Sequence, residues 1–292
     1  MKGFGGQSMV AALRQVLLCR PEHAGWQNER LAQSWQALSY LHAPVIAHAE
    51  RQHNALERLL REAGATVNFL PPDPSFSLDA VYVHDASLIT DHGAILMRMG
   101  KDCRRHEPAH HARFYESCGI PILGEITAPG TAEAGDIVWL DARTLLVGRG
   151  YRTNDEGIAQ LGSLLTPFGV EVIAAPLPYG QGPQYCLHLM SLLSLLDGKT
   201  ALVDLAWLAV PTVELLQQRG FRFIEIDETE RITLACNVLA LGNGKLIALA
   251  ENPKTNHRLE QHGFEVLTFD GSEIGINGGG GPTCLTRPLL RE

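Results

Sequence analysis

The chain has 292 residues, 45% apolar and 19% charged, the balance of an ordinary folded protein with a sizeable core. Its 24 Lys and Arg stand against 32 Asp and Glu, a net charge of −8. That acidity argues against nucleic acid as a main partner, because neutralising phosphates needs clustered Lys and Arg, and it suits a cationic ligand slightly better.

Val16–Cys19 reads as a strand. A helix is expected over His48–Ala63, where Ala49, His53, Leu56, Leu59 and Leu60 fall near helical spacing and Gly64 stops it. Val67–Leu70 is the next strand. Val81–Val83 and Ala94–Arg98 read as a strand pair around Asp91-His92-Gly93, followed by a helix from Glu107 to Cys118. Ile137–Leu140 and Thr144–Val147 suggest a hairpin, Asn154–Leu165 a helix and Val170–Ala174 a strand. Thr200–Val203 (strand), Val213–Arg219 (helix) and Phe221–Glu225 (strand) come next. Val238–Leu241 and Lys245–Ala250 flank an Asn243-Gly244 turn, a strong hairpin signal. Lys254–His262 then reads as a helix and Glu265–Phe269 as a strand. Hairpin, helix and returning strand thus recur at roughly 50-residue intervals, which suggests like units arrayed around a centre. No Pro-, Ser- or Gly-rich linker interrupts them, so residues 1–292 are expected to form one domain.

Met1–Val10 is polar and Gly-rich, without the apolar core of a signal peptide. The longest apolar run, Leu187–Leu196, is far shorter than the roughly 20 residues of a membrane span, so no membrane partner is expected. The six cysteines are widely spaced with no CxxC pair, which points to a reducing cytoplasm rather than a disulfide framework. Nothing fixes the oligomeric state, and a homo-oligomer is compatible with the sequence.

The sharpest chemical feature is Asn277-Gly-Gly-Gly-Gly-Pro-Thr-Cys284. Its glycines allow close backbone approach to a ligand, and a cysteine just after such a turn is well sited as an exposed nucleophile. By composition alone, a flexible tail with an incidental thiol fits equally well. His188, within Cys186-Leu-His-Leu-Met190, is the best candidate acid or base for a thiol, although a lone histidine in an apolar run is more often a satisfied core residue. Glu133-Ala-Gly-Asp136 carries two acids around a glycine, and Asp79-Ala-Val-Tyr-Val-His84-Asp85 has acids at both ends. Spacing alone fits solvated turn acids better, but a buried planar cation would require such carboxylates. His106-Glu-Pro-Ala-His110 matches the zinc-protease pattern, yet Pro108 between the histidines suits only a first helical turn. There is no G-x-S-x-G and no dinucleotide fingerprint. Neither a metal nor a cofactor is expected.

Taken together, these segments resemble the guanidino-group-modifying enzymes: dimethylarginine dimethylaminohydrolases, arginine deiminases, arginine dihydrolases and amidinotransferases. The resemblance runs from about Val16 to Pro288, with the motifs in family order. Asp79–Asp85 is similar to the first acidic strand, Arg104-Arg105 to the carboxylate-binding arginine, and Glu133–Asp136 to Glu-Gly-Gly-Asp. Tyr151-Arg152-Thr-Asn154 is similar to Arg-Thr-Asn, Cys186–Leu189 to the histidine motif and the segment ending at Cys284 to the nucleophile motif. Met190 stands where deiminases and amidinotransferases carry an aspartate; dimethylarginine hydrolases lack that aspartate too, but have Glu-Asp in place of His84-Asp85.

The resemblance implies an α/β pentein, with five ββαβ-type units around a pseudo-fivefold axis and the site at the centre. It implies a hydrolase for a small guanidino substrate, with Cys284, His188 and Glu133 catalytic and Asp85, Asp136, Arg104, Arg152, Asp79 and His84 binding substrate. A covalent thiouronium on Cys284 would lead to citrulline. Dimethylargininase is the first expectation. The alternatives are an arginine deiminase or dihydrolase, an amidinotransferase, and a non-catalytic arginine-binding pentein.

Overall fold

The computed structural model describes residues 3–28, 33–183 and 185–292. The first unit contains β1 (Leu13–Leu18), α1 (Ile46–Glu62) and β2 (Thr66–Phe69). The second contains β3 (Ser87–Thr90), β4 (Gly93–Leu96), α2 (Glu107–Ser117) and β5 (Ile122–Glu125). The third contains β6 (Ile137–Asp141), β7 (Thr144–Arg149), α3 (Asp155–Leu165) and β8 (Glu171–Pro176). The fourth contains β9 (Leu193–Leu195), β10 (Thr200–Val203), α4 (Val210–Gln218) and β11 (Arg222–Glu225). The fifth contains β12 (Leu239–Gly242), β13 (Lys245–Leu249), α5 (Pro253–Gln261) and β14 (Glu265–Phe269). The last strand, β15 (Arg287–Arg291), pairs antiparallel with β1 and so completes the first sheet.

Each of the five sheets has three strands. The central strand pairs antiparallel on one side and parallel on the other, and the helix provides the crossover that parallel pairing needs. The same holds in the fourth and fifth units. Alternate residues of a central strand enter different cores. Leu145 and Val147 of β7 pack with Leu88 and Ile95 of the second unit, while Leu146 packs with Leu193 and Val203 of the fourth. Leu202 of β10 meets Leu246 and Ala248 of β13, whose Ile247 joins Val16 and Leu18 of β1. Burial on both faces explains why these strands read as continuous apolar runs. The arrangement is the expected pentein.

Local signals hold where geometry is local. Asn243 and Gly244 have φ of 53° and 74°, both positive as a two-residue hairpin turn of this kind requires. No helix among the described residues is long and apolar enough to cross a membrane. Three strands, β5, β9 and β15, carry no clear sequence signal. Val81–Val83 is not the expected strand. A short 3-10 turn spans Leu78–Val81, and the hairpin partner of β4 is β3. The apolar side chains are buried, but the backbone turns: Tyr82 offers its carbonyl to Arg104, and the His84 N–H donates to the Cys284 carbonyl.

Candidate active site

Cys284 lies between the glycine run and β15. A Cβ on Gly278 would stand 2.1 Å from the Tyr82 hydroxyl, one on Gly280 2.5 Å from the Tyr82 ring, and one on Gly281 2.6 Å from Asn237 Oδ1. Those glycines are needed for close packing, whereas Gly279, with φ of 81°, makes the turn. The segment is therefore neither a loose tail nor a seat for an exposed thiol, since Cys284 is only 9% exposed. Asn237, just ahead of β12, donates from Nδ2 to Cys284 Sγ at 3.1 Å and accepts the Thr283 N–H at 3.0 Å. The sequence gives no hint of this residue, because only folding brings the fifth unit against the final turn.

Burial pushes the Cys284 thiol up to about 12, with Asp85 adding to the rise while His188 and Asn237 oppose it. His188 precedes the 3-10 turn Leu189–Ser191. Its Nε2 lies 2.8 Å from Glu133 Oε2, and its Nδ1 lies 3.5 Å from Cys186 Sγ and 3.9 Å from Asp85 Oδ1. Burial alone would discharge the ring, but Cys186, Asp136 and Asp85 raise its pKa well above the ordinary imidazole value. Burial would likewise protonate Glu133, but the hydrogen bond and charge of His188, with Arg152 and Arg104, hold it below the usual carboxylate range. Both shifts favour the charged pair, imidazolium with carboxylate. Gly135 makes this packing possible, because a Cβ there would lie 2.3 Å from His188 Nδ1 and 2.8 Å from Asp85 Oδ1.

Asp85 Oδ2 accepts from Arg104 Nη1 at 2.6 Å, whereas the buried Oδ1 has no hydrogen-bond partner. Four residues expected to touch substrate are committed elsewhere. Arg104 donates to both oxygens of Glu107, to Asp85 and to the Tyr82 carbonyl, so it braces the acidic wall. Asp136 accepts the Thr153 hydroxyl at 2.6 Å and the Leu189 N–H at 2.9 Å, fixing the turn that carries His188; burial raises its pKa to about 6. Asp79 holds Lys101 Nζ at 2.5 Å. His84 Nδ1 lies 2.8 Å from the Thr286 carbonyl, and His84 lines a cavity that neither Asp85 nor Cys284 borders, so the turn over Val83–Ala86 sends the two neighbours to different partners. Arg152 is less engaged, with Nη1 3.4 Å from Glu133 Oε1.

Asp85, Glu133 and His188 present ligand atoms within 4.8 Å of one another, a set that could hold a cation, although Nε2 of His188 already bonds Glu133. The zinc-protease pattern dissolves in the fold, because Glu107 starts α2 and its carboxylate pairs with Arg104. In the segment between β1 and α1, Trp26 donates to the Leu78 carbonyl, and Tyr40 packs where a Gly278 side chain would stand. Residues 29–32 of that segment lie outside the described residues.

A pentein ring with a buried cysteine, an imidazolium–carboxylate pair and an unsatisfied carboxylate oxygen defines the class: a hydrolase of the guanidino-group-modifying superfamily, acting on the C–N bonds of linear amidines. Residues 21–291 match the family model described as N,N dimethylarginine dimethylhydrolase, eukaryotic, and the chain belongs to that family. It is 31% identical to the N(G),N(G)-dimethylarginine dimethylaminohydrolase of Pseudomonas aeruginosa over 242 residues, covering 82% of this chain and 89% of that one. A solved structure of a Pseudomonas aeruginosa dimethylarginine dimethylaminohydrolase, a cysteine-to-serine mutant complexed with citrulline, superposes with a TM-score of 0.75 at 29% identity, covering 96% of this chain and 100% of that one. The N-terminal domain of a cyanobacterial arginine dihydrolase shares the fold, with a TM-score of 0.80 at 21% identity, covering 95% and 98% of the two chains.

Proposed function

We propose that the protein, acting as one catalytic domain over residues 1–292, hydrolyses the guanidinium of an N-methylated arginine, N,N-dimethylarginine first, to citrulline and a methylamine. The observation that carries this reading is Asp85 Oδ1, a buried carboxylate oxygen without a donor, 3.9 Å from His188. Such an atom calls for a cationic N–H donor. The Glu133 carboxylate is already engaged with His188, Lys101 N–H and Arg152, which leaves one acceptor for the guanidinium. A dimethylated nitrogen has no N–H, so this guanidinium carries three N–H donors against the five of arginine and asks for fewer acceptors. The similarity to the dimethylarginine dimethylaminohydrolase of Pseudomonas aeruginosa supports the same substrate.

The guanidinium charge offsets Asp85 and favours loss of the Cys284 proton to solvent, and Asn237 supports the thiolate. Sulfur attacks the guanidinium carbon. Protonated His188, held by Glu133, gives its proton to the leaving amine as the C–N bond breaks, leaving a thiouronium on Cys284. His188 then takes a proton from water, whose oxygen attacks the same carbon; the C–S bond breaks and the ureido product leaves. Arg152, whose recorded side-chain hydrogen bond is one long contact to Glu133, keeps N–H donors for the α-carboxylate in this reading.

Cys284→Ser should reduce citrulline formation from dimethylarginine by at least ~10³-fold. Mass spectrometry of wild-type protein quenched during turnover should show a substrate-derived adduct on Cys284. Turnover near wild type in the serine variant would overturn the assignment. Release of dimethylamine from N,N-dimethylarginine supports dimethylargininase, whereas arginine converted to citrulline and ammonia, to ornithine, or to a new guanidine would instead identify a deiminase, a dihydrolase or an amidinotransferase.

A further inference from the structure

A second polar site lies at the middle of the ring. The first strands of the sheets, β15, β3, β6, β9 and β12, all line one cavity of about 30 Å³. Two arginines of β15 enter it, Arg287 and Arg291, which are 4% and 8% exposed. A guanidinium carries five N–H donors and stays charged at neutral pH. Arg287 donates from Nη2 to the His84 carbonyl, and its buried Nε has no partner. Arg291 donates from Nη1 to the Ala11 carbonyl at 2.7 Å. Among the described residues no carboxylate lies within ion-pair distance of either. Trp139 lines the same cavity, and its indole N–H, a donor only, is also buried without a partner.

Two buried cations border this small cavity, and two N–H groups on its lining residues, Arg287 Nε and the Trp139 indole, have no acceptor. Buried charges are retained in proteins when they are paired; Asp85 favours the Arg287 charge from a distance, but neither guanidinium has a direct ion pair, and the partner that fits between them is negative. We propose that this axial cavity binds one small inorganic anion of halide size, held by Arg287, Arg291 and the Trp139 indole. The volume sets the class: a single water needs roughly 10–15 Å³, so about twice that space suits a halide and excludes a guanidino amino acid. Burial lowers the pKa of Arg287 to about 10 and that of Arg291 to about 9, Arg287 adding to the latter, and both remain charged at neutral pH. The neighbouring imidazole of His84 is held neutral by burial and by Arg287, so it supplies no countercharge. The site is separate from the catalytic sulfur but shares its backbone, since Thr283 and His84 line the cavity next to Cys284 and Asp85.

The test uses full-length protein made halide-free in methanesulfonate buffer and titrated with bromide at constant ionic strength. Thermal unfolding should shift upward by several degrees and saturate, as binding linkage requires. Crystals grown in bromide should show an anomalous peak between Arg287, Arg291 and Trp139. Arg291→Met should abolish the bromide-dependent shift; Trp139→Phe, which keeps the ring and fold, should raise the half-saturating concentration roughly tenfold or more through loss of one donor to a charged partner. If Arg291→Met does not fold, the Trp139→Phe titration and the peak decide. The proposal is overturned if wild-type protein shows no saturable bromide shift, if the cavity holds only water in bromide crystals, or if Trp139→Phe leaves the titration unchanged. None of these readouts depends on citrulline formation.

Discussion

Asn237 is the one side-chain N–H donor recorded on the Cys284 sulfur among the described residues. A hydrogen bond to a charged group contributes about 1.5–3 kcal/mol, and 1.36 kcal/mol corresponds to about one pKa unit. Asn237 lowers the thiol pKa, so its removal makes ionisation require a higher pH. Asn237→Ala should therefore move the acidic limb of the kcat profile, which reports the substrate complex, upward by about 1–2 units and reduce activity at neutral pH roughly 10–100-fold. A pH–rate profile checks this; a merely structural role would lower the whole curve without moving the limb. His84 and Asp85 give the complementary lesson, for two neighbours in one motif meet different partners, Thr286 and Arg104, and no local pattern says which side chain does which.

At the scale of elements, the segment before α3 organises much of the site. Arg152 reaches Glu133, Thr153 donates to Asp136, and Asn154 caps the helix by accepting the Gly157 N–H at 2.8 Å. The same Asn154 oxygen accepts the Thr131 N–H at 3.0 Å, and its Nδ2 donates to the Pro129 carbonyl, tying the helix start to the loop that leads into Glu133. Asn154→Ala should cost about 1–2 kcal/mol of stability. Urea unfolding should show a lower midpoint with an unchanged slope, and an unchanged midpoint would remove the cap argument. The helix from Asn154 was legible in the sequence; the tie of Asn154 to Thr131 was not, because the two are joined only when the second and third units pack.

At the scale of the whole molecule, closure depends on β15. It supplies the antiparallel neighbour of β1, while Leu285 and Leu289 join the core shared by the first, second and fifth units. Deleting residues 287–292 would leave an edge on β1 and open that core, three residues beyond the nucleophile. The truncated chain should lose near-UV circular dichroism and cooperative thermal unfolding. Retention of the wild-type transition would show that the ring holds without its closing strand.

The sequence by itself determined the succession of hairpin, helix and returning strand, the glycine-led turn before Cys284 and the order of acidic, histidine and cysteine motifs, because periodicity and turn chemistry act between near neighbours. Tertiary structure decided that β15 returns to β1, that Arg104 braces Asp85, that Asn237 meets the sulfur, and that His84 faces the axial arginines. The physical reason is one of range: alternation along a strand can mark which residues are buried, but the partner each finds there is set by the packing of five separate sheets around a common centre.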